Sequence, residues 1–541
     1  MDQVITFGST MQTIVDLLRQ SVDRWGQLPA LSMYDAPGST LTYAELWDYA
    51  RRVAAYLRDE GVGNGDRVVL WGPNRPDWVA AFFGIQMLGA IAVPMDVRSR
   101  EDLLERIGGQ TNPKHLFLGD EQQRSLTADH GPVTRFEDLR VITDELEPLT
   151  VDPASTDPGD TAELVFTSGT TGNPKGVILT QQNIISNVKM AMTAVNPTPK
   201  YRCVSILPLS HMYEQTGGLL TVLAGGASVT YLATLRPDII LKAMTDVRAT
   251  TMFCVPQVLE LFQRGIEREI RRQGREKMFK RLHAFALRLP FRARRPFFRA
   301  IHQKMGGSFE FFLSGGAYLY PEIGQWWEGI GVKVLQGYGM TEASPILTSA
   351  TLTDRDVSSV GKPLPGVELR FADDHEILVR GANISPGYWN DPIATNLAFT
   401  DDWYHTGDLG YLDENGRLHL HGRKKNMIVL ANGMNIYPED IERVLIAEPG
   451  VTNAVVLGLE ADRDVEIHAV LLLDSDAADP ADIVKRCNQQ LNPHQRIRDY
   501  TVWPEENFPL TPSLKVKRID VIERLAELRA PAAPAAPAAS E

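Results

Sequence analysis

Residues Leu164-Val165-Phe166-Thr167-Ser168-Gly169-Thr170-Thr171-Gly172-Asn173-Pro174-Lys175-Gly176 begin as an apolar, β-rich run and empty into a loop of hydroxyls and glycines with a single lysine. Such a loop offers closely spaced backbone N–H groups, side-chain donors and a cation, which are the requirements for wrapping a polyphosphate. The spacing is not that of the mononucleotide P-loop. That pattern needs Gly before the lysine and Ser or Thr after it, whereas Pro174 precedes Lys175 and Gly176 follows it.

Outward toward the N-terminus, Thr42 and Glu45 form a capping-box pattern, and Leu46, Tyr49, Val53 and Leu57 recur at helical spacing up to Gly61. The pattern predicts a helix there, then a strand over Arg67–Trp71, a helix over Asp77–Leu88 and a strand over Ala90–Pro94. Strand, helix, strand implies a parallel sheet. The same rhythm is expected across Glu163–Ala233 and Phe309–Gln336. Between Val360 and Leu420 the texture changes to short extended runs broken by Gly, Pro and Asp, which predicts antiparallel β structure. After Gly422 a charged stretch opens a region of mixed helix and strand patterns. The expected domains are 1–422, 423–529 and a Pro/Ala tail, 530–541, too poor in apolar surface to order.

The chain has 541 residues, 43% of them hydrophobic and 23% charged, which is a globular profile with room for several cores at roughly 150 residues per domain. Its net charge of −13 repels polyanions, so nucleic acid is not expected as a partner. Cys203, Cys254 and Cys487 are odd in number and lack CxxC spacing, which suggests neither a disulfide framework nor a zinc site and fits a reducing cytoplasm. The first residues carry Asp2 and no uninterrupted apolar core, so no secretory signal is visible. The longest uncharged stretch lies near Gln215–Leu235, is interrupted by glycines, and reads as a buried helix, turn and strand rather than a membrane span.

One segment departs from the acidic average. Arg264–Lys304 holds fourteen Lys/Arg against Glu267, Glu269 and Glu276, a local balance of +11 that leaves −24 elsewhere. Phe279, Phe285, Leu287, Phe291, Phe297 and Phe298 are interleaved with the charges. Two readings stay open: a solvated basic helix pair packing its aromatics on the core, or peripheral contact of 264–304 with an anionic membrane face or a phosphate-rich substrate.

Further motifs follow the loop in order: Leu207-Pro-Leu-Ser-His211-Met-Tyr-Glu-Gln, Ser314-Gly315-Gly316-Ala317, Gln336-Gly337-Tyr338-Gly339-Met340-Thr341-Glu342, Tyr404-His-Thr-Gly-Asp408, Gly422-Arg423-Lys-Lys425, Asn432-Gly433-Met-Asn-Ile-Tyr-Pro-Glu439 and Pro509-Leu-Thr-Pro-Ser-Leu-Lys515. Together they resemble the signatures of the adenylate-forming superfamily of acyl-CoA synthetases, peptide-synthetase adenylation domains and luciferases. The form LTPSLKVKR, with Leu514 where many members carry Gly, resembles the long-chain fatty acid–CoA ligase branch, as do PLSHMYEQ and the basic insertion.

The resemblance implies an α/β fold: a large multi-layered N-terminal body with parallel sheets and a small β-barrel-like part, plus a small, mobile α+β C-terminal domain. It implies a two-step reaction in which a fatty acid attacks the α-phosphate of ATP, releasing pyrophosphate, and the CoA thiol then displaces AMP. Anion meets anion in the first step, so the barrier falls through charge neutralisation and alignment. Lys515 would bridge the carboxylate and α-phosphate, Thr341 would contact that phosphate, and Glu342, with Thr167, would hold Mg²⁺. Thr167, Ser168, Gly169, Thr170, Thr171, Gly172 and Lys175 would wrap the phosphates. Gly315, Gly316, Ala317, Gln336, Gly337, Tyr338, Gly339 and Met340 would receive the purine, and Asp408 and Arg423 the ribose or a phosphate. His211 would close the acyl pocket or orient the carboxylate, and Met212, Tyr213, Leu219, Phe312 and Leu313 could line that pocket with Met340. Lys425 would be the hinge and Gly433 the wall of the thiol tunnel. Rival readings are an acyl-AMP ligase that loads an acyl carrier protein and a nucleotide- and lipid-binding regulator without turnover.

Overall fold

The computed structural model describes residues 11–36, 38–151, 156–167, 174–430, 434–461, 464–474, 479–510 and 516–529. The chain divides into two units. One holds residues up to Ala372 with Ile377–Thr406 and Tyr411–His419; the other holds Asp373–Glu376, Gly407–Gly410 and everything from Leu420.

In the first unit the N-terminal pattern folds as its residues dictate. Thr42 caps the helix Tyr43–Asp59 reciprocally with Glu45, and Tyr43, Leu46, Ala50, Val53 and Leu57 turn its buried stripe inward. The strands Arg67–Trp71 and Ile91–Met95 pair in parallel, joined by the almost wholly buried helix Pro76–Met87. They belong to a six-stranded sheet ordered 133–135, 115–118, 67–71, 91–95, 161–167, 175–180. A nine-stranded sheet runs 362–363, 346–349, 333–339, 311–314, 251–254, 202–205, 228–231, 29–33, 41–42. One apolar core draws on both sheets and the helices between them, with Leu31, Val53, Val68, Phe82, Ile184 and Val229 buried together.

From Glu163 the expected crossover rhythm gives way to a hairpin. Thr161–Thr167 and Lys175–Thr180 pair antiparallel, because the stretch between them is too short for the crossover helix that a parallel partner needs. The region after Val360 forms the expected antiparallel sheet, ordered 368–371, 376–380, 403–412, 399–400, with 418–423 also on 403–412. Residues Gln215–Leu235 form a buried π-helical stretch, Tyr213–Thr221, a helical turn and the strand Ser228–Tyr231. Among the described residues no helix is long and apolar enough to cross a membrane. The three cysteines are buried and unbridged.

The second unit is α+β. Strands Val451–Ala461, Asp464–Leu473 and Asp499–Val502 form one sheet, with helices Pro438–Ile446, Pro480–Gln490 and Arg518–Arg529 beside it. Ile441, Leu445, Val456, Leu471 and Ile483 make its core. Arg518 holds the half-buried Glu442 at 2.5 Å. The tail 530–541 lies outside the described residues.

Candidate active site

The hairpin register sets Thr167 opposite Lys175, so the two ends of the hydroxyl-and-glycine loop face each other. Ser168, Gly169, Thr170, Thr171 and Gly172 lie outside the described residues. The segment Ser385–Trp389 is laid along the second hairpin strand. Ile178 N–H donates to the Gly387 carbonyl at 3.0 Å, Trp389 N–H to Gly176 at 2.7 Å, and the Ser385 hydroxyl to Ile178 at 2.7 Å. Tyr388 is thereby fixed with its ring 5.3 Å from the Lys175 Nζ and its hydroxyl donating to Glu342 Oε1 at 3.1 Å.

Glu342 stands on the short helical turn Thr341–Ala343 directly after the strand Lys333–Gly339, and its carbonyl accepts the Ser385 N–H at 2.8 Å. The result is a row of cation, phenol and carboxylate drawn from three distant stretches of chain. Burial, then the charge of Glu342, pushes the Tyr388 phenol upward, so it stays protonated as a donor. Tyr388 escaped the sequence reading. Its signal was the tyrosine of SPGYWN, which no chemistry-bearing neighbour marked.

Parallel strands Phe311–Ser314 and Lys333–Gly339 end side by side, with Ser314 opposite Gln336. Their carboxyl ends carry the SGGA and QGYGM motifs, the edge where open α/β sheets receive ligands. A side chain at Gly339 would lie 1.9 Å from the Pro345 carbonyl oxygen, so that position demands glycine, while one at Gly315 would come tightly, at 3.2 Å, against the tip of the Tyr213 ring. Gly316 has φ +80°, and Gly337 and Ala317 border the same edge half-buried. Gln336 donates its amide to the Val357 carbonyl at 2.7 Å, which commits its side chain to the scaffold. Tyr338 is buried, while Met340 and Thr341 are half-buried. Of the expected acyl-pocket residues, Phe312 faces away. Neighbouring strand residues point to opposite faces, and Phe312 packs on Phe309 and Trp327, whereas Leu313 shares the core that Tyr213 borders.

His211 closes the turn after Leu207–Leu209 and places Nε2 3.1 Å from Asp96 Oδ2. Asp96 sits just beyond the strand Ile91–Met95, 9% exposed. Against the cost of its burial, contacts with His211 and Arg98 hold its carboxyl well below the usual range, so it is a fixed anion beside the imidazole. Asp96 was also missed by the sequence reading; the sole hint was an aspartate at the carboxyl end of a predicted strand.

In the second unit, Arg423 Nε reaches Asp408 Oδ1 at 2.6 Å, and Asp408 is 5% exposed. Lys424 pairs with Asp374 at 2.6 Å and Glu376 at 2.9 Å, while Glu376 also accepts the Gly407 N–H at 3.0 Å. Gly407, Arg423, Lys424 and Lys425 line a hollow of about 290 Å³. Burial, then Arg423, lowers the Lys425 ammonium. A hollow lined by three basic side chains, one of them paired with the buried Asp408, suits an anionic nucleoside. Gly433 and Lys515 lie outside the described residues.

This combination of sheets, hairpin loop and antiparallel subdomain is the fold of the adenylate-forming enzymes. ATP-bound MatB from Rhodopseudomonas palustris shares it at a TM-score of 0.79 and 25% identity, over 95% of this chain and 99% of that one. The AMP-binding enzyme family matches residues 18–389, and the chain belongs to it. A long-chain-fatty-acid–CoA ligase, FadD15 of Mycobacterium bovis, is 32% identical over 91% of this chain and 92% of its own length. A feruloyl-CoA synthase of Amycolatopsis sp is 29% identical over 82% of this chain and 85% of its own length. Within the family the chain is an AMP-forming acyl-CoA ligase, working through an adenylate intermediate.

Proposed function

We propose that this protein activates long-chain fatty acids with ATP and delivers the acyl group to CoA. The observation that carries the chain-length reading is the similarity to FadD15, which extends over nearly the full length of both chains. Lys175, steadied over the Tyr388 ring, offers a cation at the mouth of the phosphate loop. Thr341 contacts the α-phosphate, Asp408 and Arg423 take the ribose or a phosphate, and Lys515 neutralises the encounter of carboxylate and α-phosphate. His211, oriented by Asp96, closes the acyl side.

Glu342, with Thr167, would hold Mg²⁺. Among the described residues no group of three or more His, Cys, Asp or Glu is poised for a metal. A single carboxylate fits this ion, which keeps several waters and takes its other oxygens from substrate phosphates. When bound, it supplies neutralisation of the phosphate charge. The hydrogen bond from Tyr388 engages one oxygen of Glu342 and orients the carboxylate.

The chain beyond Lys425 turns about that residue between half-reactions, which brings Gly433 to the thiol path. The test is a panel of acids from acetate through palmitate, with ferulate, incubated with ATP, Mg²⁺ and CoA while pyrophosphate, AMP and thioester are measured. Highest kcat/KM for acyl chains of twelve carbons or more supports the reading. Preference for ferulate or short acids overturns the chain-length part, and acyl-AMP accumulating without thioester overturns CoA as acceptor.

A further inference from the structure

The basic segment divides its aromatic residues between two environments. Phe279 packs inward against Trp326 and Phe298, with ring centroids 5.9 Å and 5.7 Å apart respectively. Phe285 and Phe297 instead stand 50% and 47% exposed, with their rings edge to face at 6.0 Å. Packing against the body therefore accounts for Phe279 and Phe298, and Arg355 covers the Phe291 ring at 4.7 Å, but the exposed pair is left unexplained.

The helix Glu276–Leu287 shows how the exposed set is arranged. Phe279, Leu282, His283 and Ala286 turn toward the body. Met278 and Phe285 lie on the opposite side, together with Arg281 and, just past the helix, Arg288 at the same spacing. On the preceding helix, Pro256–Arg272, Leu261 is 48% exposed and shares its outward face with Arg264, Arg268 and Arg271. Carboxylates engage Arg264, Arg272, Lys280 and Lys304, through Glu260, Glu269 and Glu276. Arg294 and Arg295 are spent on backbone carbonyls. Arg268, Arg281, Arg288 and Arg299 keep no carboxylate within ion-pair distance among the described residues.

Exposed apolar side chains that share helix faces with guanidinium groups lacking a carboxylate partner match the two layers of a lipid interface, acyl boundary below and anionic headgroups above. Charge separation adds direction. The segment carries +11 while the rest of the chain carries −24, so an anionic surface attracts this face and repels the others. We propose that the outward face of residues 264–304 docks on an anionic lipid bilayer, with Met278, Phe285 and Phe297 entering the interface and Arg268, Arg281 and Arg288 binding phosphate headgroups.

The test is co-sedimentation of the full-length protein with vesicles of phosphatidylcholine containing about 30% phosphatidylglycerol, against pure phosphatidylcholine. Binding to the anionic vesicles should fall at least tenfold between low and high salt, and at least tenfold in R281Q/R288Q. F285S/F297S should weaken it severalfold at constant charge. Ligase activity on a soluble medium-chain acid, together with the melting temperature, verifies that both variants are folded. Absence of sedimentation, or equal binding to neutral vesicles, overturns the proposal. So does unchanged binding by F285S/F297S alongside equal capture on heparin, which would make the segment a general polyanion binder.

Discussion

Two regions of the larger unit bury carboxyl groups to opposite ends. Deep in the core, Glu163 and Glu214 are fully buried, and neither completes a hydrogen bond among the described residues. Burial pushes both up to about 8, with a small offset from nearby Gln215 and Ser205 respectively. At the sheet edge, Asp96 is nearly as buried but stands beside His211 and Arg98 and is held well below the usual range. Burial without a cation yields a neutral acid that packs, as Glu214 does against Gly218; burial with one yields a fixed anion that can orient a neighbour. Charge at the rim should govern turnover, and protonation in the core should govern stability.

The largest effect should come from removing a charge at a proposed ligand contact. Asp408→Asn keeps the shape but drops the charge-assisted bond to Arg423, and should slow pyrophosphate release about 10- to 100-fold with little change in melting temperature. A comparable loss of thermal stability would show that Asp408 is merely structural. Next, Lys425→Pro removes an N–H and fixes φ near −65° at the proposed hinge. Thioester formation should fall at least tenfold while adenylation survives, as single-turnover assays of the two half-reactions can show; unchanged rates in both would end the rotation reading.

Asp96→Asn should lower kcat/KM roughly fivefold to tenfold by releasing His211. Asp96→Glu, which keeps the charge, should recover part of it. If Asp96 acts only by packing, the asparagine variant will be the milder of the two.

The smallest effect tests the core. A carboxyl raised from 4.5 to about 8 holds, in the folded chain, a proton that the unfolded chain has already released between those pH values. Its contribution is therefore fully present below about 4.5 and lost progressively as pH rises toward 8. Asp96 has the opposite sign, its contribution being present above its ordinary 3.8 and lost only as pH falls below that. Glu163→Gln and Glu214→Gln should accordingly raise the melting temperature at pH 8 by about 2–5 °C and leave it nearly unchanged at pH 5. Calorimetry across pH 5–9 measures the difference, and parallel slopes for wild type and variants would contradict the neutral-acid assignment.

Local chemistry determined a good deal from sequence alone. The capping pair Thr42 and Glu45 with its apolar stripe specified the helix Tyr43–Asp59, and the β-rich runs around it specified a parallel pair, because caps and periodicity act over a few residues. The ordered motifs likewise carried the family. Tertiary structure alone decided the rest. Tyr388 and Asp96 became partners of Glu342 and His211 across 46 and 115 positions of chain, and no local signal marks a phenol or carboxylate that matters only through where folding delivers it. The hairpin after Glu163, the facing-away of Phe312 and the division of the basic segment's aromatics were settled in the same way. Each depended on which face a residue presents to distant neighbours, and that is a property of packing, not of spacing along the chain.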